Sequence, residues 1–277
     1  MPPFRLTPIV KWIALINIVV FFITSLIEQT FGIDSTKILG MHDISSPLFE
    51  PWQIITHIFM HGNLTHLFSN MFALIIYGPM IESQWGGKKF LQYYLFTALG
   101  AVALHGGISY VETNKLTKVY EQYITNPNEE TFLSFAESSS SAHHSLSFTK
   151  DEKELDAEEF AIAWHKEPLN EQYKEVASQA INNFYTARRD IATVGASGAV
   201  FGLIIAFGIL FSEVMLYLYF LFPIKAKYIV LLHGGLEIYS AYQNNPGDNV
   251  AHFAHIGGMI FGYILIKFWQ HKNKSIY

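Results

Sequence analysis

The sequence predicts an all-α membrane protein: a bundle of six transmembrane helices with a long extracytoplasmic insertion between the third and fourth. Three observations carry this. The 277 residues are 51% hydrophobic and only 15% charged, against roughly 25% charged in soluble domains. The apolar residues gather into six runs, most of them within the ~17–25 residues that cross a hydrocarbon core as helix. Lysine and arginine fall at alternate ends of those runs. Helices are the only plausible spans, because in lipid each backbone polar group must be satisfied internally.

The six runs cover residues 9–27, 64–81, 90–108, 191–211, 228–242 and 250–269. The first is long, carries Arg5 and Lys11 at its front and lacks a following Ala-x-Ala site, so it is read as a retained anchor. The second opens after Gly62-Asn63, a turn and helix N-cap by residue type. The fifth is short and contains His233 and Glu237. Just before it, residues 215–224 are apolar but too few to span, and are read as an interfacial connector broken at Pro223.

Arg5, Lys11, Lys88, Lys89, Lys225, Lys227, Lys267, Lys272 and Lys274 all fall on one side of a six-span arrangement. The positive-inside rule makes that side cytoplasmic, with both termini there, in a plasma or inner membrane. The whole chain, 1–277, is read as one membrane domain. Residues 111–190 form its insertion, with fifteen acidic residues against eight basic ones. A loop of this length translocates largely regardless of charge. It is expected to be acidic and partly flexible around the Ser138–Ser141 run, with helical character over Glu171–Tyr185.

Even-numbered spans run inward from the outer face. Ser197 lies about six residues into the fourth, or ~9 Å at 1.5 Å per residue. His255 lies about five residues into the sixth and His66 close to the start of the second, so three helices bring polar groups to one depth. A serine hydroxyl becomes a nucleophile when an imidazole takes its proton. Gly195 and Gly198 flank Ser197 in Gly195-Ala196-Ser197-Gly198 and leave room for a peptide. His66 and Asn70, four apart on one helix face, can both donate to a developing oxyanion. His252 lies three residues before His255 and is placed beside the site. No third acid is evident, since Asp248 falls in the outer loop, and a Ser–His dyad is the simpler reading.

These features together resemble the rhomboid family of intramembrane serine proteases. The resemblance rests on Gly-x-Ser-Gly at 195–198, Ala-His-Ile-Gly-Gly at 254–258 followed by Gly262, and His66-x-x-x-Asn70 after Pro51-Trp52-Gln53. It implies Ser197 as nucleophile, His255 as general base, and His66 with Asn70 as oxyanion donors. It also implies that Glu82 is a structural glutamate at the inner end of the second span and that Phe201 stacks on the histidine. The Trp-Arg pair of some members is missing, because Gln53 follows Trp52. The insertion is not a common family feature either.

Other readings stand beside this one. The Gly-Ala-Ser-Gly string and Gly198-x-x-x-Gly202 are also what close helix packing requires. Gly258-x-x-x-Gly262 is assigned to packing alone. His57, His61 and His66, or His252 and His255, have spacings that suit a metal, but no His-Glu-x-x-His motif is present. His57 and His61 are instead read as a hydrated polar collar, and no cofactor, metal or nucleic-acid partner is expected. With zero cysteines, a disulfide scaffold and a thiolate nucleophile are excluded. The expected partners are the bilayer and membrane-anchored protein substrates. A non-catalytic rhomboid-like protein that binds membrane clients is the alternative.

Overall fold

In the computed structural model, which describes residues 5–140, 148–150, 153–218, 221–243 and 250–274, the chain is mostly helical. Helix α1, Pro8–Phe31, starts on a proline whose missing N–H costs nothing in the first turn, and ends at Gly32 with φ 66°. Two short helices, α2 (Ser35–Leu39) and α3 (Gln53–Thr56), lie in the segment before α4 (Leu64–Trp85). The Asn63 side chain caps α4 by accepting from the His66 N–H at 2.8 Å, as the Gly62-Asn63 signal predicts. Glu82, near the far end of α4, accepts from the backbone of Ile9 and Val10 at 3.0 and 2.9 Å and from the Thr7 hydroxyl. Its carboxylate therefore closes the N-terminal turn of α1, where free N–H groups favour an anion.

Helix α5, Gly87–Thr125, runs well past the expected end of the third apolar run. Helices α6 (Glu129–Ser140), α7 (Ala157–Lys166) and α8 (Glu171–Arg189) follow, with the paired strands β1 (Phe148–Lys150) and β2 (Lys153–Leu155) between α6 and α7. The expected loop is thus largely folded where it is described. Aromatic side chains supply the reason: Tyr123, Phe132, Phe135, Phe160 and Trp164 bury one another with Tyr173 and Ile181 in a core of their own. Residues 141–147, which include Ser141 and His143-His144, lie outside the described residues.

Helix α9 is Ser197–Leu210, α10 is Ala226–Gln243 and α11 is His252–Lys274. Between α9 and α10, β3 (Met215–Leu218) pairs antiparallel with β4 (Phe222–Lys225), and Tyr217 faces Pro223. The predicted connector is thus a hairpin, and Pro223 sits within a strand of it rather than breaking it. Helices α1, α4 and α5 are long and apolar enough to cross a membrane by length and composition, and α9 is a shorter apolar helix. The main core lies where α9 meets α4, α5 and α11, around Leu74, Tyr93, Leu203 and Phe207. Helices α9 and α11 touch backbone to backbone: a Cβ on Gly258 would fall 1.9 Å from the Gly198 carbonyl oxygen. The small residues of both motifs therefore do serve close packing.

Candidate active site

Ser197 is the first residue of α9, not a residue one and a half turns into a helix. The apolar run extends to Ile191, but residues 191–196 are not helical, because other partners claim their backbone. Thr193 exchanges hydrogen bonds with Met41 at 2.8 and 2.9 Å, and the Gly195 N–H donates to the His57 carbonyl at 2.9 Å. Gly195 has φ 124°, a conformation that side chains disfavour, and the chain turns there into the helix. Gln53, which follows Trp52, is fully buried and stitches the preceding loop together. Its amide nitrogen donates to the Leu48 carbonyl at 2.9 Å, and its oxygen accepts from the Glu50 N–H at 3.1 Å.

Three helix beginnings converge here. His66 is the third residue of α4, Ser197 opens α9 and His255 is the fourth residue of α11. A Cβ on Gly195 would lie 2.8 Å from His66 Nε2 and 3.7 Å from Asn70 Nδ2. Both side chains thus reach the backbone two residues before Ser197. Asn70 is buried, and its Nδ2 has no hydrogen-bond partner among the described residues. On the other side, the His255 ring stacks on Phe201, with centroids 4.1 Å apart and planes 12° from parallel. Gly198 gives α11 its close approach, its Cβ position lying 3.6 Å from the Ala254 carbonyl oxygen.

His57 and His61, expected as a polar collar, are both buried among the described residues. The His57 Nδ1–H donates to the Gln53 carbonyl at 2.8 Å, and burial holds this imidazole below its ordinary range. His61 meets the edge of His66 at 5.0 Å, and burial lowers its pKa to about 4. His105 and His233 make bundle-facing and intrahelical contacts, to Thr193 Oγ1 at 3.0 Å and the Ile229 carbonyl at 2.9 Å. A cavity of about 360 Å³ opens beside the site between α5 and the insertion. Phe253 and Thr193 line it, but neither Ser197 nor His255 does.

Sequence reasoning missed Glu237. This carboxylate, on α10, places Oε2 2.7 Å from His252 Nδ1 and 2.9 Å from His255 Nδ1. Asp248, the acid weighed from the sequence, lies outside the described residues. The signal for Glu237 was available: it is the acid of the fifth apolar run, and an ionisable group in such a segment faces a partner or a cavity. One ligand atom from each of Glu237, His252 and His255 lies within 4.8 Å of the others, so the trio is also a candidate for a metal. Two donors on a tetrahedral zinc, at ~2.0–2.2 Å bonds, stand about 3.3 Å apart. The observed 2.7 and 2.9 Å separations are shorter than that, and the first is an N–H···O hydrogen bond from His252.

A family model described as the rhomboid domain matches residues 48–117 and 174–271, more than half of the chain. The chain belongs to the rhomboid family. Its rhomboid relatives include an uncharacterized mitochondrial rhomboid protein of Schizosaccharomyces pombe, 25% identical over 82% of this chain and 53% of that protein. The chloroplastic rhomboid-like protein 11 of Arabidopsis thaliana is 35% identical over 32% of this chain and 30% of its own length. The rhomboid-like protease 3 of Toxoplasma gondii is 23% identical over 32% and 35%, respectively. The chain thus spans between about a third and about half of the length of these three relatives. Residues 118–173, which carry most of the extra helices, fall between the two matched blocks of the rhomboid domain.

Proposed function

We propose that this rhomboid is an intramembrane serine endopeptidase that cleaves membrane-anchored proteins in or near their own transmembrane helices. The observation that carries the reading is the convergence of His66 and Asn70 on Gly195, with the His255 ring stacked one turn beyond Ser197. In this reading Ser197 Oγ attacks the scissile carbonyl while His255 takes its proton at Nε2 and later returns it to the leaving amine. Asn70 Nδ2, His66 and the Ser197 N–H stabilise the oxyanion, which usually contributes most in acyl transfer. No cofactor enters the scheme.

Helices α1, α4, α5, α9, α10 and α11 are taken as six crossings of a plasma or inner membrane, with both termini cytoplasmic and Ser197 opening to the other side. The lysines between spans support that orientation. The insertion then stands outside, beside the mouth of the site. A helical substrate hides its carbonyls in hydrogen bonds, so substrates with helix-breaking residues near that face should be preferred.

The test is cleavage of a transmembrane-peptide substrate or casein by purified protein in detergent, comparing wild type with Ser197→Ala and His255→Ala. Wild type alone should cleave. Equal cleavage by all three would sink the protease reading. A well-folded wild type that cleaves nothing, yet retains membrane clients, would favour the non-catalytic client-binding alternative.

A further inference from the structure

The proposed dyad is not isolated. Nδ1 of His255 lies 2.9 Å from Oε2 of Glu237 on helix α10, and both side chains are largely shielded from solvent. The same oxygen lies 2.7 Å from Nδ1 of His252. The His252 contact is a hydrogen bond, whereas the His255 contact is close but lies outside hydrogen-bond geometry. A carboxylate has only acceptors, so a ring nitrogen held this near it favours carrying a proton. A histidine that carries its proton on Nδ1 is left with the lone pair on Nε2, the form a general base needs. Phe201, stacked on the His255 face, holds the ring plane, while Glu237 holds its rotation about that plane.

We propose that Glu237 is a positioning residue for His255. It selects the Nδ1–H tautomer and stabilises the imidazolium formed when Ser197 gives up its proton, so that the base works as part of a Ser197–His255–Glu237 relay. During attack the Ser197 proton moves to His255 Nε2. Glu237 stays ionised throughout and keeps its place beside Nδ1. His252 donates to the same oxygen and fixes the carboxylate in place. The arrangement also accounts for an acid in the middle of an apolar helix, where an unpaired charge is costly. The mainly structural alternative is that Glu237 simply ties α10 to α11. The amide of Glu237→Gln separates the two, since it can still accept from one Nδ1–H but carries no charge.

The inference rests on the protease reading, so the experiment contains a check on each. Steady-state cleavage of a fluorogenic transmembrane peptide is measured in proteoliposomes for wild type, Ser197→Ala, Glu237→Gln and Glu237→Asp, with thermal unfolding as the fold control. If Ser197→Ala matches wild type, the protease reading itself fails. If it is inert, Glu237→Gln should lose at least about 100-fold in kcat with KM nearly unchanged, as general-base contributions run ~10²–10⁴. Glu237→Asp, which restores the charge one methylene short, should recover a substantial part of that loss. A Glu237→Gln rate within about threefold of wild type would overturn the proposal. So would a Glu237→Asp rate no better than that of Glu237→Gln, which also covers the case in which the amide fails to fold. A wild-type activity removed by EDTA and restored by zinc would make the trio a metal site, and would overturn it as well.

Discussion

Phe201 and His255 stack with ring centroids 4.1 Å apart and planes 12° from parallel, on two helices whose backbones touch at Gly198 and Gly258. The aromatic ring fixes the plane of the imidazole and shields one of its faces. Aromatic pairs of this kind contribute ~0.5–1.5 kcal/mol beyond area burial. Phe201→Leu should therefore lower kcat by about 3–10-fold. Phe201→Tyr, which keeps the ring, should remain close to wild type. Steady-state peptide cleavage reads both, and equal rates for all three proteins would refute the positioning role of the stack.

The oxyanion side makes a separate prediction. His66→Ala and Asn70→Ala should each retain activity reduced by ~10²–10³-fold, the usual effect of losing one donor. Binding of an uncleaved substrate should change little, because the donors act on charge that develops in the transition state. A variant with unchanged kcat but weaker binding would assign that side chain to substrate recognition instead.

Gly195→Ala tests the turn into α9. The new methyl would fall within 3 Å of the His66 ring, on a backbone with φ 124°. Activity should fall as steeply as for His66→Ala, with only a modest loss of thermal stability. An active Gly195→Ala variant would show that the turn has another way to form.

Gly258→Ala acts on stability rather than chemistry. Its Cβ would lie 1.9 Å from the Gly198 carbonyl oxygen, a contact that side-chain motion cannot relieve. Overpacking typically costs ~1–3 kcal/mol, so unfolding in detergent should shift by several degrees. An unshifted midpoint would mean that α9 and α11 separate at little cost.

Acid sensitivity follows from His61. Burial lowers its pKa to about 4 in the folded protein, against 6.5 when exposed. The unfolded chain therefore binds the proton first, and the contribution of His61 to stability is intact above about pH 6.5 and lost progressively as pH falls toward about 4. His57 is shifted in the same direction, also by burial. His61→Asn should flatten the acid limb of a stability-versus-pH curve in that window. An unchanged slope would show that His61 becomes hydrated before the protein unfolds.

Much of this molecule was legible from composition and spacing alone. Apolar runs mark helices because lipid leaves the backbone no other way to satisfy its polar groups. Gly62-Asn63 marked the start of α4 because an asparagine oxygen can accept a free N–H wherever the chain turns. Ser197, His66, Asn70 and His255 could be named as candidates from their shared depth in three apolar runs and from motifs that resemble those of the rhomboid family. The sequence did not reveal where α9 begins. Apolarity continues through residues 191–196, and only the pairing of Thr193 with Met41 and of Gly195 with His57 removes that stretch from the helix. The folded insertion was likewise hidden, since its aromatic core joins α5, α6, α7 and α8 across long separations in the chain.

By itself, then, the sequence determined the membrane class, the helical segments and the candidate nucleophile, base and oxyanion donors, all properties of local pattern. Tertiary structure alone decided that Glu237 belongs with His255. The two lie on different helices, and no periodicity within either one encodes a contact between them. Packing brings Oε2 to 2.9 Å from Nδ1, where a half-buried carboxylate and a buried imidazole each supply what the other would otherwise lack.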